Sequence, residues 1–404
     1  MNYRVSFMPD MNYEINTIDD ISKNYHLYIH IPFCRSSCLY CGIKVNHEYS
    51  EFDLYIEALK RELEILYEKA ICPPIFKSIH IGGGTPSILS LSQLQKLFKM
   101  LKEKIDNYNQ IEKVFEANPE SLSVDKIEYL SSVCNLTLSI GIQSLNPDVL
   151  RVSGRMSNKK IIKILEEAVQ YPFAGIGVDL ICGLPLSTKE IFLQDINELI
   201  AIGVDSFSIY PLWIESNSIL GEKYNQFKNE LMIDTDVKKS LEKGKEILLL
   251  NGYVKRSVYH YIKCNKNLFQ YANMQIYGEE WIGIGSGATS YFDRTRKVNI
   301  DCIEKYIDKI NSGKLPINNI EKYSITDELL NKLAYILRKP VITIDDERKE
   351  LGEVGCLALE KLIKHLKNID FIKFVDSGWQ LTNNGIINLG MISGNYIKKI
   401  IDGR

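Results

Sequence analysis

Long apolar runs are missing from this sequence of 404 residues. No stretch approaches the roughly 20 apolar residues that a helix needs to cross a bilayer. The first 21 residues carry Asp10, Glu14, Asp19 and Asp20 where a signal peptide has an apolar segment. We therefore expect a cytoplasmic protein without a membrane span.

An excess of charge of either sign is missing as well. The 49 lysines and arginines nearly balance the 51 aspartates and glutamates, which leaves a net charge of −2. Such a chain has no broad positive field to hold a polyanion by counterion release, so nucleic acid is disfavoured as a partner. Apolar residues make up 45% and charged residues 25% of the chain, close to globular averages, which predicts a folded protein.

Cysteine is scarce, with nine residues in the whole chain. That number is too small for a disulfide scaffold, and an odd number cannot pair completely within one chain. Most of the nine are scattered singly, whereas Cys34, Cys38 and Cys41 fall within eight residues. Three clustered thiols in a reducing compartment indicate metal or redox chemistry.

Short apolar runs alternate with amphipathic segments from residue 27 onwards. Strands are predicted at 27–31, 78–81, 113–116, 137–140, 176–181 and 206–210, with helices between them. This alternation is typical of βα units around a parallel sheet. Six units are too few for the usual eight-stranded closed barrel, so the sequence predicts an open, partial (βα)6 barrel whose site lies at the carboxyl ends of the strands.

The pattern changes after about residue 324. Helices are predicted at 327–337, at 354–366 and from 384, around a short strand pair at about 371–381. These elements predict a small α+β domain of winged-helix type. The predicted fold class is therefore α/β, with an N-terminal extension over 1–25, the partial barrel and its extension over 26–320, and the C-terminal domain over 321–404.

The three clustered cysteines have the spacing C-x3-C-x2-C directly after the first predicted strand. Cysteine thiolates hold iron–sulfur clusters, and three of them can bind three irons of a cubane while the fourth iron stays open. A structural zinc ion needs a fourth protein ligand, and although His47 is near in sequence, the spacing does not match the usual zinc pairs. The loop favours a [4Fe-4S] cluster over zinc or three incidental thiols.

Several segments together carry a resemblance to a known family. They are the strand 28–33 with the sequence Tyr-Ile-His-Ile-Pro-Phe, the cysteine loop, Gly-Gly-Gly-Thr-Pro-Ser at 82–87, and Val-Asp-Leu-Ile-Cys-Gly-Leu-Pro at 178–185. The sequence resembles the radical S-adenosylmethionine (SAM) superfamily over about residues 26–300. More narrowly it resembles the branch of oxygen-independent coproporphyrinogen III oxidase, the related heme chaperone, and the two-SAM methylases and cyclopropanases. The tail at 381–386 resembles the end of that branch's C-terminal domain.

The resemblance implies a particular cofactor chemistry. The open iron of the cluster, held by Cys34, Cys38 and Cys41, chelates the amino and carboxylate groups of SAM. An electron from the cluster, supplied by a flavodoxin- or ferredoxin-type donor, then cleaves SAM to methionine and a 5′-deoxyadenosyl radical. An oxygen-sensitive cluster also predicts anaerobic or low-oxygen working conditions.

The resemblance also implies which other residues bind the cofactor. A first SAM would be contacted by Tyr28, Tyr40, Gly83, Gly84, Thr85, Glu116 and Pro211, and a second SAM by Gln143, Arg155 and Asp179. Glycine suits such a place because backbone without a Cβ lets a ligand approach closely. Each polar residue could instead cap a helix or make a buried structural hydrogen bond.

The sequence departs from its relatives in ways that bear on function. Ile43 stands where the oxidase has a further cysteine, so coproporphyrinogen III decarboxylation is disfavoured. Three histidines of the heme chaperone are absent from Arg155-Met156-Ser157, Tyr271-Ala272-Asn273 and Gly287-Ala288-Thr289. Since imidazole is the usual axial ligand of heme iron, His260 or a tyrosine would have to substitute.

Two functional hypotheses follow from the resemblance. The leading one is a radical SAM enzyme that uses two SAM molecules for methylene-radical C-methylation, cyclopropanation, or heme or tetrapyrrole modification of a small-molecule substrate. The alternative is a heme-binding chaperone that keeps the cluster and SAM but delivers heme unchanged.

Overall fold

The computed structural model of the protein describes residues 24–35, 37–47, 52–70, 73–155, 158–266, 268 and 270–403. Almost all of the predicted N-terminal extension over 1–25 lies outside these residues. So do Cys72, Met156 and Ser157, and the side chains of Tyr271 and Asn273.

Six parallel strands form the centre of the molecule. They are β1 (Asn24–Ile31), β2 (Ile75–Gly83), β3 (Glu112–Ala117), β4 (Leu136–Gln143), β5 (Gly175–Cys182) and β6 (Ser206–Pro211). Each contains one of the six predicted strands and extends beyond it at one or both ends. The strands lie side by side in chain order, which confirms the predicted sheet of βα units.

Helices connect these strands. They are α1 (Phe52–Lys69), α2 (Leu91–Lys104), α3 (Val124–Ser131), α4 (Pro147–Val152), α5 (Asn158–Ala168) and α6 (Lys189–Ile202). Helix α2 begins with a capping box, in which Ser90 and Gln93 exchange side-chain-to-backbone hydrogen bonds. Helix α6 ends at Gly203, whose φ of 99° is left-handed and suits glycine.

The connection after β6 extends the sheet at both edges. Its strands are β7 (Tyr253–Lys255), β8 (His260–Lys263), β9 (Trp281–Ile284), β10 (Thr289–Phe292), β11 (Thr295–Asn299) and β12 (Ile317–Lys322). Strand β9 pairs in parallel with β1, and β8 pairs antiparallel with β6. The result is one sheet of twelve strands in the order β12-β11-β10-β9-β1-β2-β3-β4-β5-β6-β8-β7, open between its two ends as predicted.

Helices accompany the extension and form most of the C-terminal part. Those of the extension are α7 (Ile219–Glu222), α8 (Tyr224–Phe227), α9 (Asp234–Leu250), α10 (Gln270–Tyr277) and α11 (Ile303–Asn311). Residues 325–403, here called the C-terminal segment, contain α12 (Ile325–Ile336), α13 (Ile344–Asn368), β13 (Ile372–Val375), β14 (Gly378–Leu381), α14 (Asn383–Ile387) and α15 (Gly394–Ile401). Helix α13 is broken at Gly352, so the predicted helix 354–366 is its second half. The division at residue 320 stays a prediction.

Side-chain alternation along β1 positions the functional face of the sheet. Leu27, Ile29 and Ile31 are fully buried in the hydrophobic core. Tyr28 and His30 lie between them, and because successive side chains of a strand point to opposite faces, they point into the barrel. The fold therefore presents polar and aromatic groups inside the barrel.

Among the described residues, none of the helices is both long and apolar enough to cross a bilayer. The cytoplasmic location stays a prediction.

Candidate functional site

The cysteine loop follows β1 and turns back on it. The backbone N–H of Cys34 donates to the carbonyl of Asn46 (3.2 Å), and the N–H of Asn46 donates to the carbonyl of Pro32 (2.7 Å). Within the loop, the N–H of Cys41 donates to the carbonyl of Cys38 (3.1 Å). These bonds place the three thiols in one compact loop at the carboxyl end of the first strand.

Two distant segments hold the middle of this loop. The N–H of Leu39 donates to the carbonyl of Ser153, just after α4 (3.1 Å), and the carbonyl of Leu39 accepts from the N–H of Leu220 in α7 (2.7 Å). The loop is therefore fixed from both sides by backbone hydrogen bonds.

The three thiols are partly shielded from solvent and lie near one cation. Cys38 is buried, Cys34 and Cys41 are half-buried, and all three are free of disulfides. Burial raises the pKa of the Cys41 thiol. The charge of Arg155 acts in the opposite direction on Cys41, and the guanidinium of Arg155 donates to Sγ of Cys38 (3.8 Å). In the described part of the chain no three possible ligands are gathered around a single metal ion, but three free thiols in one loop are the donor set that an iron–sulfur cluster needs.

The three glycines at the end of β2 are explained by packing inside the protein. A Cβ on Gly82 would lie 2.7 Å from the carboxylate of Glu116, one on Gly83 would lie 2.7 Å from the ring of His30, and one on Gly84 would lie 2.5 Å from the carbonyl oxygen of Phe33. The resemblance implies that SAM approaches Gly83 and Gly84, which stays a prediction. Protein atoms from β1, from Phe33 just after it and from β3 lie in the directions of the missing Cβ atoms, while Gly83 also borders the cavity described below.

Thr85 links the glycine run to the cysteine loop. Its Oγ1 donates to the carbonyl of Gly84 (2.8 Å) and lies 3.1 Å from Sγ of Cys34. The N–H of Gly84 donates to the carbonyl of Ile31 (2.8 Å). Gly84 and Thr85 therefore contact the end of β1 or the cysteine loop, and neither lines the cavity described below.

Glu116 is held in place at the end of β3. Its Oε1 lies 2.7 Å from Nε2 of His80, and its Oε2 accepts from the N–H of Gly83 (3.2 Å). The ring of His80 stacks on Tyr28, whose hydroxyl lies 2.9 Å from Nδ1 of His30. This set of side chains joins β1, β2 and β3 on the inner face of the sheet.

A cavity of about 710 Å³ opens at this inner face. It collects side chains from the strand ends, from the extension and from the C-terminal segment. Four of the predicted site residues line it, namely Tyr28, Gly83, Glu116 and Asp179. His260, which the sequence names as a possible heme ligand, lines it as well, and so do four residues without a sequence assignment, namely His80, Trp281, Tyr335 and Arg338.

Asp179 is the second carboxyl group of the cavity. Burial raises its pKa to about 7, while a hydrogen bond with Ser208, its neighbour across β5 and β6, acts in the opposite direction. The carboxyl group therefore exchanges its proton near neutral pH.

Gln143 and Arg155 lie together outside the lining of the cavity. Gln143 ends β4 with a left-handed φ of 70°, at a shift in the strand register. Its amide and the guanidinium of Arg155 both lie beside Gly141, whose carbonyl accepts a hydrogen bond from Arg155. Asp179 is the partner of Gly141 in the neighbouring strand, and the charge of Arg155 acts on its carboxyl group, so all three residues of that predicted set lie around Gly141, although only Asp179 lines the cavity.

Tyr40 and Pro211 frame the site without lining the cavity. Tyr40 is half-buried between Cys38 and Cys41, and burial raises the pKa of its hydroxyl well above the ordinary value. Pro211 ends β6 opposite Cys182 of β5.

Arg338 and Tyr335 had no sequence signal because no motif surrounds them. They reach the cavity only because the end of α12 docks on the connection between β7 and β8, where the N–H of Val258 donates to the carbonyl of Arg338 (3.0 Å). His80 could have been found, since it lies two residues before the glycine run in the strand that the run ends.

An open barrel of six βα units with a three-thiol loop after its first strand defines a class of iron–sulfur protein. The model of the Radical SAM superfamily matches residues 28–199, and the chain belongs to that superfamily, in the branch that contains oxygen-independent coproporphyrinogen III oxidase and heme chaperone HemW.

Relatives cover nearly the whole chain. Heme chaperone HemW of Bacillus subtilis (strain 168) is 27% identical over 384 residues, which is 92% of this chain and 99% of that protein. Heme chaperone HemW of Buchnera aphidicola subsp. Schizaphis graminum is 31% identical over 373 residues, 89% of this chain and 94% of the relative.

The oxidase is similar to this chain in sequence over less than half of the chain, and in fold over nearly all of it. Oxygen-independent coproporphyrinogen III oxidase of Escherichia coli (strain K12) is 31% identical over 192 residues, 46% of this chain and 41% of the relative. The solved structure of coproporphyrinogen III oxidase (HemN) from Escherichia coli superimposes with a TM-score of 0.76 at 20% identity, and covers 94% of this chain and 90% of that one. The fold is therefore shared.

Membership of the family implies a [4Fe-4S] cluster and SAM. The residues assigned to each, a second SAM, and heme stay predictions at this point.

Proposed function

We propose that this protein is a heme chaperone that binds heme in the cavity of about 710 Å³ and passes it unchanged to an acceptor. The observation that carries the proposal is the similarity to heme chaperone HemW of Bacillus subtilis over 99% of that protein's length. The alternative hypothesis of the sequence analysis is thus favoured over two-SAM methylation, which stays a prediction.

We assign the cluster to Cys34, Cys38 and Cys41. The half-buried thiols of Cys34 and Cys41 and the buried thiol of Cys38 provide three thiolates, and Arg155 offsets part of their negative charge. When bound, the cluster supplies the single electron that cleaves SAM in this family. The loop itself keeps the thiolates together and limits the access of water to Cys38.

We assign SAM to the part of the cavity next to this loop. Glu116 is oriented there by His80 and by the N–H of Gly83, so its carboxylate needs little reorganisation to accept hydrogen bonds from an ammonium or hydroxyl group. Tyr28 adds an aromatic wall beside it.

We assign heme to the part of the cavity that His260 lines. Burial, together with the charge of Arg338, lowers the pKa of His260 to about 4, so its imidazole is neutral at pH 7. Neutral imidazole is the form that binds iron. Ser257 lies 2.7 Å from Nδ1 and fixes the orientation of the ring, as a residue behind a metal ligand does. The other ring nitrogen, Nε2, lies 3.4 Å from the hydroxyl of Tyr210, which heme iron would replace, and His260 would then stand in for the three histidines that the sequence lacks.

The test is a transfer experiment under anaerobic conditions with reconstituted protein. Heme is added with and without SAM and dithionite, and apomyoglobin is supplied as the acceptor. We expect holomyoglobin to form with heme of unchanged mass. Heme or another added substrate recovered with a methyl or methylene mass increase, together with 5′-deoxyadenosine, would instead support the enzyme hypothesis.

A pair of variants locates the heme. His260→Ala is expected to weaken heme binding and to change the Soret spectrum, because an axial ligand is lost. His365→Ala is the matched control, since His365 lies in α13 beside Tyr396, away from the cavity. Equal spectra for the wild type and His260→Ala would contradict the assignment of His260.

A further inference from the structure

The C-terminal segment contributes a cation to the cavity of the barrel. Arg338 follows α12, and its carbonyl accepts a hydrogen bond from the N–H of Val258, in the connection that joins β7 to β8 (3.0 Å). Its guanidinium lies over the ring of Tyr335, 5.3 Å from the centroid. Backbone and ring together hold the side chain at the wall of the cavity, where it is half-buried.

Charge is unevenly distributed around this cavity. Of the lining residues in the described part of the chain, Arg338 is the one lysine or arginine, whereas Glu116 and Asp179 are both acidic. The two carboxyl groups come from β3 and β5. The guanidinium comes from another segment, and its charge acts on His260 and Tyr259. A carboxylate that enters the cavity is therefore attracted towards Arg338 and repelled by Glu116.

We propose that Arg338 binds a carboxylate of the ligand, and that in heme this group is a propionate. The inference rests on the proposed function, because heme is the ligand that supplies the propionate. A planar guanidinium can bind both oxygens of a carboxylate at once, and such a bond is stronger in a partly water-excluded cavity than in solvent. Tyr335 keeps the guanidinium plane in place and reduces the ordering cost of binding.

The assignment also fixes how heme would lie. His260 and Arg338 are near each other, so iron ligation and propionate binding would occur on the same side of the cavity. The apolar part of the macrocycle would then meet Trp281 and Tyr335, two aromatic residues of the lining. Arg338 is thus a specificity residue that separates a carboxylate-bearing tetrapyrrole from a neutral one.

The test compares heme with heme dimethyl ester, in which both propionates are neutral. Each is titrated into the reconstituted full-length protein and followed by Soret absorbance. We expect the wild type to bind heme about tenfold more tightly than the ester, and Arg338→Gln to bind both with similar affinity. Arg338→Lys should recover part of the preference. Arg348→Gln is the matched control, because Arg348 pairs with Asp345 and Glu353 on the surface of the same segment.

The possible failures are distinct. A wild type that binds neither ligand overturns the proposed function, and the inference with it. A wild type that binds heme, with an Arg338→Gln variant that keeps the preference for heme over the ester, overturns the role of Arg338 alone. Circular dichroism and the melting temperature show whether each variant is folded. If Arg338→Gln is unfolded, the ratio of the heme affinity to the ester affinity in Arg338→Lys decides between the outcomes.

Discussion

Arg155 donates a hydrogen bond to the sulfur of Cys38 at 3.8 Å, across 117 residues of sequence. The same guanidinium donates to the carbonyl of Gly141 at the end of β4. A cation that belongs to the fourth βα unit is thereby fixed against the cysteine loop that follows the first strand. Because a nearby cation lowers the free energy of a thiolate, this contact prepares the loop for iron.

Replacement of Arg155 should weaken iron binding at neutral pH. We expect Arg155→Gln to hold several-fold less iron after reconstitution at pH 7 and to approach the wild type at higher pH, where thiols ionise without help. Iron content and visible absorbance measure this. Arg151→Gln is the control, since Arg151 pairs with Asp148 in solvent. Equal iron content in Arg155→Gln and Arg151→Gln at pH 7 would contradict the electrostatic role of Arg155.

Removal of one cluster thiol should abolish the cluster. Cys38→Ala leaves two thiols in the loop, so we expect the visible charge-transfer absorbance to disappear and the iron content to fall close to zero. Cys134→Ala is the matched control, because Cys134 is exposed and far from the loop in sequence. Iron retained in full by Cys38→Ala would refute the assignment.

Glu62 makes stability depend on pH. It is fully buried and accepts hydrogen bonds from the hydroxyl of Tyr306 (2.6 Å), the amide of Asn299 (2.7 Å) and the N–H of Gly285 (2.8 Å). Burial nevertheless raises its pKa from 4.5 to about 7. Since the folded state then binds a proton more tightly than the unfolded state, this contribution to stability is complete below pH 4.5 and is lost as the pH rises through 7.

A variant isolates this contribution. We expect the free energy of unfolding of the wild type to decrease between pH 4.5 and 7. In Glu62→Gln this decrease should be smaller, and the difference between the two proteins should be at most about 3 kcal/mol. Urea denaturation at several pH values measures both slopes. Glu64→Gln, on the outer side of the same helix, should retain the wild-type slope, since salt bridges with Lys104 and Arg61 lower the pKa of Glu64. Parallel curves for all three proteins would count against Glu62.

Asp179 should make ligand binding depend on pH. Its pKa of about 7 means that it is mostly protonated at pH 6 and mostly ionised at pH 8. An ionised Asp179 repels an anionic ligand in the cavity, so heme affinity of the wild type is expected to decrease severalfold over this range. Asp179→Asn should remove this decrease in affinity. Asp148→Asn, which changes a solvent-exposed side chain, should show the same decrease as the wild type. Heme titrations at pH 6, 7 and 8 provide the comparison.

The central strands could be predicted from sequence because each is an apolar run of its own. Leu27, Ile29 and Ile31 are buried as their pattern predicts, and the cysteine spacing needs no tertiary information. The glycine run marks the carboxyl end of β2, and its contact with SAM stays a prediction. Its Cβ positions are filled by Glu116, His30 and Phe33, three neighbours that only the folded sheet brings together.

The outer strands and part of the cavity lining could not be predicted, because they depend on which strands pair and on where α12 docks. Strands β9 to β12 are short, and their order in the sheet follows from the partners they find, with β9 joining β1 from the far end of the extension. Arg338 and His260 reach the cavity from separate segments. The sequence names His260 as a possible heme ligand but cannot place it in the cavity, and neither periodicity nor a motif marks Arg338.

The hydrogen bond between Val258 and Arg338 has a thermodynamic consequence. The cavity wall is divided between the barrel and the C-terminal segment, so a ligand that contacts both fastens α12 to the sheet. By linkage, a change that weakens the docking of α12 on the sheet weakens ligand binding by the same coupling free energy. Ligand affinity and the docking of α12 on the sheet are therefore two readings of one free energy.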